Sequence, residues 1–166
     1  MLISRNREKL INAVVYFASN TRHCGKVKLF KLLYLLDFAH FRETGRSVTG
    51  LDYRAWKMGP VPFELMQEWD ELESDMALAI NIVPEGAIDF IRERVVPKVA
   101  FDDSLFTRRE LRLMREISTN FVNELTKTSR AHARGTGALG QNLGWRQGKQ
   151  RIDPLHTGHS RLRSQS

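Results

Sequence analysis

The chain has 166 residues, is 42% hydrophobic and 27% charged, and carries 26 Lys+Arg against 19 Asp+Glu, a balance suited to one globular domain. Residues 1–126 hold 18 basic and 18 acidic side chains, whereas residues 127–166 hold eight basic residues and the single acid Asp153, so the whole net charge of +7 lies in the last 40 residues. That distribution excludes a uniformly basic nucleic-acid-binding domain and describes a neutral domain with a basic tail.

One cysteine, Cys24, excludes a scaffold stapled by intrachain disulfides and fits a reducing cytoplasm. The first residues, MLISRNREKLIN, contain no continuous apolar run, so no signal peptide is expected. The most apolar stretch, residues 27–41, is broken by Lys28, Lys31 and Asp37, and no membrane association is expected.

Residues 5–18 place Leu10, Ile11, Val14, Val15 and Ala18 at helical spacing behind Ser4, a possible cap. A polar link over residues 20–25 leads to a second helix, residues 26–43, which is apolar almost all round and ends at Gly45. Such a helix is expected to be central, covered on most sides. Residues 44–62 contain Gly45, Gly50 and Gly59 beside Tyr53 and Trp56, which predicts loop with one short extended piece.

After Pro60 and Pro62, the spacing of Leu65, Met66, Trp69 and Leu72 predicts a third helix. Its remaining positions are acidic: Glu64, Glu68, Asp70, Glu71, Glu73 and Asp75. They read as a solvated face or as a dock for a basic surface. Residues 80–83 and 88–101 are richer in Ile and Val and predict a small β-hairpin turning at Pro84-Glu85-Gly86. Thr107 and Glu110 form a capping-box pattern, and Leu111, Met114, Ile117, Phe121, Val122 and Leu125 continue it at helical spacing. Beyond residue 126 the periodicity stops and six glycines follow, the composition of a loosely ordered segment. The expected fold class is therefore mainly α: a compact helical domain around a central buried helix, a minor β-hairpin and a basic C-terminal tail.

Several patterns carry little chemistry. Gly135, Gly137 and Gly140 match G-x-G-x-x-G, but no strand precedes them and no βαβ unit surrounds them, so the pattern reads as a flexible loop. His156 and His159, and likewise His23 beside Cys24, lack the further ligands that a metal site needs. No catalytic residue, metal or cofactor is assigned, and Cys24 reads as a small packed thiol.

The central helix is more informative. Lys28, Lys31, Tyr34, Asp37 and His40 recur every three residues, a line that winds backward around the helix instead of forming one solvated face. On a mostly buried helix, such groups are expected to be hydrogen-bonded internally or exposed at a partner groove. In the tail, Arg130, Arg134, Arg146 and Arg151 suit phosphate and Trp145 suits stacking on a base, so nucleic acid is a candidate partner there.

Lys28, Leu29, Lys31, Leu32, Leu33, Tyr34 and Asp37, then Thr49-Gly50, Tyr53, Trp56 and Gly59-Pro60-Val61, form a pattern K-L-x-K-L-L-Y-x-x-D, T-G, aromatic, W-x-x-G-P-V. In this, residues 1–126 resemble the Panacea domain, the SocA-like antitoxin family that includes phage-associated GepA-type proteins. On this resemblance Ser129, His132, Trp145, Gly148, Lys149 and Ile152 would be the counterparts of the family's C-terminal Ser/Thr-His, Trp and basic elements, in the Gly/Arg-rich segment 127–166, although an insert separates His132 from Trp145 where the family has them close together.

The resemblance implies a non-enzymatic, cytoplasmic antitoxin. Its partner would be a cognate protein toxin, neutralised by direct binding or by delivery to a protease of the ClpXP type. Lys28, Lys31, Tyr34, Asp37, Tyr53, Trp56, Gly59, Pro60 and Val61 would form the partner surface or its scaffold, with Asp37 and Trp56 expected as scaffold. Arg130, His132, Arg134 and Trp145 would supply tail contacts. The alternative is a DNA-binding accessory or autoregulatory protein acting through the tail.

Overall fold

The computed structural model describes residues 5–57, 59–87 and 90–133. Its elements run α1 (Arg5–Asn20), α2 (Lys26–Thr44), β1 (Tyr53–Trp56), β2 (Gly59–Pro62), α3 (Phe63–Glu68), α4 (Ser74–Ala79), β3 (Ile80–Ala87), β4 (Phe90–Pro97) and α5 (Arg108–Ala133), with a turn of 3-10 helix at Asp103–Leu105. The fold is mainly α with a minor β component. The strands form two separate antiparallel pairs, β1–β2 and β3–β4.

The core gathers where the apolar faces of the helices meet. Leu10, Val14 and Phe17 of α1, Leu29, Leu32, Leu33 and Leu36 of α2, and Leu113 and Met114 of α5 are buried together. α2 packs against α1, α5, β2 and β4, which makes it the central element, as its all-round apolar sequence implies. Gly45 ends it with φ +74°, its N–H donating to the Phe41 carbonyl at 2.8 Å.

Ion pairs join elements distant in sequence. The Arg7 guanidinium donates to both oxygens of Glu68 at 2.6 and 2.8 Å and to both oxygens of Asp75 at 2.9 and 2.8 Å. Lys9 Nζ reaches Glu110 Oε1 at 2.6 Å and so ties α1 to the start of α5. There the expected capping box is formed: the Thr107 N–H donates to Glu110 Oε2 at 2.7 Å and the Glu110 N–H to Thr107 Oγ1 at 3.3 Å.

Four local expectations change. Residues 53–62 form a hairpin, with Tyr53 opposite Pro62 and Trp56 opposite Gly59, where a loop with one extended piece was expected. Gly59, at φ +115°, supplies the backbone turn that the hairpin needs. The third helix divides into α3 and α4 because its acids do not share one solvated face: Glu68 is buried against Arg7, and its Oε2 accepts the Glu73 N–H at 3.4 Å.

The second hairpin also runs longer. β3 continues through Pro84 and Gly86, with Pro84 opposite Glu93, because a two-stranded ribbon has a free edge on which proline's missing N–H is tolerated. Finally, α5 runs unbroken across residue 127 to Ala133, so the helix end and the start of the basic segment do not coincide.

Candidate functional site

Asp37, 4% exposed, organises the chain that follows α2. Its Oδ1 accepts the backbone N–H groups of Val48 at 2.7 Å and Thr49 at 2.8 Å. Its Oδ2 accepts the Thr49 hydroxyl and, at 2.8 Å, the Tyr53 hydroxyl. Four donors replace the water that a buried carboxylate loses. Burial, reinforced by the Asp37 charge, pushes the Tyr53 phenol far above its ordinary range, so Tyr53 remains a donor.

Gly50 completes this turn. It has φ +74°, and a Cβ there would lie 2.9 Å from Asn6 Nδ2. The turn ends in β1, and the Tyr53 ring meets Tyr34 of α2 edge to face at 5.3 Å between centroids. Tyr34 in turn stacks on Phe38 at 5.6 Å. Tyr53 thus holds the β1–β2 hairpin against α2 through a polar contact with Asp37 and an aromatic contact with Tyr34.

Between that hairpin and α2 lies an open groove of about 490 Å³. Val27, Phe30, Tyr34 and Leu35 line it from α2, Trp56, Gly59, Pro60 and Val61 from the hairpin, and Met66 from α3. Among the described residues, its charged lining side chains are Lys26 and Lys31. Val27 and Trp56 are each 60% exposed, unusual for such large apolar side chains. On α2 the apolar surface continues: Val27, Tyr34, Phe38 and Phe41, with Lys31, are spaced by three or four residues and share one face, on which Phe41 is 55% exposed.

The winding line on α2 therefore divides. At the C-terminal end Asp37 and His40 point inward, and His40 Nδ1–H donates to the Arg46 carbonyl at 2.7 Å. At the N-terminal end Lys31 and Tyr34 line the groove. Lys28 belongs to neither group. It donates to the Arg22 carbonyl and lies 5.2 Å from the Phe121 ring centre, and partial burial lowers its pKa.

Of the residues singled out in the sequence, the groove brings together Lys31, Tyr34, Trp56, Gly59, Pro60 and Val61. Asp37 and Tyr53 support it from beneath. Trp56, expected as scaffold, is an exposed wall instead, since it sits beside the tip of a hairpin. The sequence reading missed Lys26, Val27, Phe30, Leu35 and Met66; Val27 carried a usable signal, its place one turn before Lys31 on the same face.

Cys24 is buried, and burial pushes its thiol up, as befits a packed thiol. Arg130 and His132 fall within α5, whereas Arg134, Trp145, the Gly135–Gly140 pattern and the His156/His159 pair lie outside the described residues. Among the described residues no helix is long and apolar enough to cross a membrane, and no three His, Cys, Asp or Glu residues are grouped to hold a metal ion.

Residues 29–127 match the family model described as antitoxin SocA-like, Panacea domain. The match spans α2 from Leu29 onward, both hairpins and most of α5. Neither the curated proteins nor the solved structures contain a match.

Proposed function

This chain belongs to the SocA-like, Panacea-domain antitoxin family, and we propose that it neutralises a cognate protein toxin by binding it at the groove between α2 and the β1–β2 hairpin. The observation that carries this reading is the destination of the motif. Asp37, Thr49 and Tyr53 brace the hairpin from inside, while Trp56 and Gly59-Pro60-Val61 stand as a wall facing Tyr34 and Lys31. A motif needed only for packing would bury its tryptophan; this one leaves Trp56 exposed above an apolar hollow.

Co-expression tests it. The protein encoded beside this chain should arrest growth alone and not in its company, and Trp56→Ala should remove rescue without unfolding the antitoxin. No arrest and no complex would refute the reading. Binding alone accounts for neutralisation when the groove covers or distorts the toxin's site. Delivery to a ClpXP-type protease is the finer alternative. Rescue that persists in a host lacking that protease establishes direct inhibition, and rescue that disappears establishes delivery.

The basic segment supports a second reading, nucleic-acid contact, because eight basic residues face a single acid there. Replacing Arg130, Arg134, Arg146 and Arg151 by Gln in the full chain should then abolish a steeply salt-dependent DNA affinity.

A further inference from the structure

We propose that the groove selects an acidic, apolar segment of its protein partner: two or three apolar side chains in the hollow, with an Asp or Glu carboxylate near Lys31. This rests on the antitoxin reading and names the chemistry of its contact. The apolar part follows from the lining, in which Val27, Leu35, Trp56 and Val61 offer surface that water covers in the free protein, above the buried Phe30. A hollow of about 490 Å³ suits a few side chains rather than a whole domain face.

The carboxylate follows from the charges. Both charged lining residues are cations, and among the described residues neither forms an ion pair with a carboxylate. Lys31 Nζ sits 5.6 Å from the Phe121 ring centre and Lys26 Nζ 5.6 Å from that of Trp69. The nearby Glu93 carboxylate accepts the Trp69 indole N–H at 2.8 Å. Cations that tie the body together are treated differently: Arg7 is met by Glu68 and Asp75, Lys9 by Glu110, and Arg112 by Glu43. The groove lysines retain charge that a partner can neutralise as water leaves.

The same charges discriminate between occupants. Residues 127–166 carry +7 and would bring like charge to Lys26 and Lys31. A second copy docking through the same face would oppose these lysines to each other. Among the described residues, nucleic acid would meet two lining cations and an apolar floor, whereas an acidic, apolar segment satisfies both.

The test is selection from a random dodecapeptide library displayed on phage, using the full chain. The toxin is absent, so failure here falls on the groove's chemistry and failure of growth rescue falls on the antitoxin reading. The expected pool combines Leu, Ile, Phe or Trp with Asp or Glu. Val27→Asp with Trp56→Ser, both at exposed positions, should weaken the selected peptides about tenfold or more. A Lys26→Glu, Lys31→Glu chain should instead select Lys and Arg. Circular dichroism and thermal melting of each variant confirm that it is folded.

Several results would overturn the proposal: an empty pool, a pool whose charge does not follow the reversal, or peptides that bind the Val27/Trp56 variant equally well. So would oligothymidylate binding, or self-association, that Trp56→Ser abolishes.

Discussion

Asp37 accepts hydrogen bonds from Val48, Thr49 and Tyr53 while buried, so its loss strands donors that have no route to water. Asp37→Ala should cost about 3 kcal/mol of stability, read as a lower urea midpoint, because several buried polar groups lose their partner at once. Tyr53→Phe removes one of these bonds and should cost about 1 kcal/mol. Gly50→Ala must accommodate both φ +74° and an approach of 2.9 Å to Asn6, and should destabilise by about 1–3 kcal/mol. The Asp37 spacing was legible in the sequence. Its partners were not, because Val48 and Thr49 respond through their backbone N–H groups, which every residue possesses.

At the scale of elements, helix periodicity was the dependable signal. α1, α2 and α5 bury residues three and four apart, and their pattern survives in one dimension. The Thr107/Glu110 capping box was equally readable, since both bonds lie within three residues; Thr107→Ala should cost about 1 kcal/mol in thermal or urea unfolding. The β1–β2 hairpin was not legible. Its strands of four residues carry no apolar alternation, and its position depends on Asp37 and Tyr34 across the chain. The break between α3 and α4 was hidden for the same kind of reason: a distant Arg7 draws Glu68 and Asp75 inward.

For the whole molecule, charge pairs between elements set the pH response. Burial alone would raise the Glu110 carboxyl, but Lys9 and Thr107 together hold it below its usual value. The Arg7 guanidinium likewise lowers Asp75. A carboxylate depressed on folding stabilises the native state fully above its unfolded pKa, and the stabilisation disappears as pH falls through the native value. Stability should therefore decline below about pH 4. Glu110→Gln should flatten that acid limb, as measured by thermal unfolding across pH 2–7. Trp56→Ala, by contrast, should leave the melting temperature almost unchanged while abolishing growth rescue, because Trp56 is 60% exposed.

The sequence by itself determined the central helix, the mainly α class, the capped last helix, the confinement of net charge to residues 127–166, and the motif of the SocA-like family. Each is local, or is a fixed spacing of residue types. Only the tertiary structure decided that Asp37 is internal while Lys31, six positions earlier on the same helix, borders a groove, and that Val27 and Trp56 remain uncovered. Periodicity says which residues share a face of a helix. Whether that face is covered depends on what the rest of the chain lays over it, and here the hairpin held by Asp37 stops short of closing over α2.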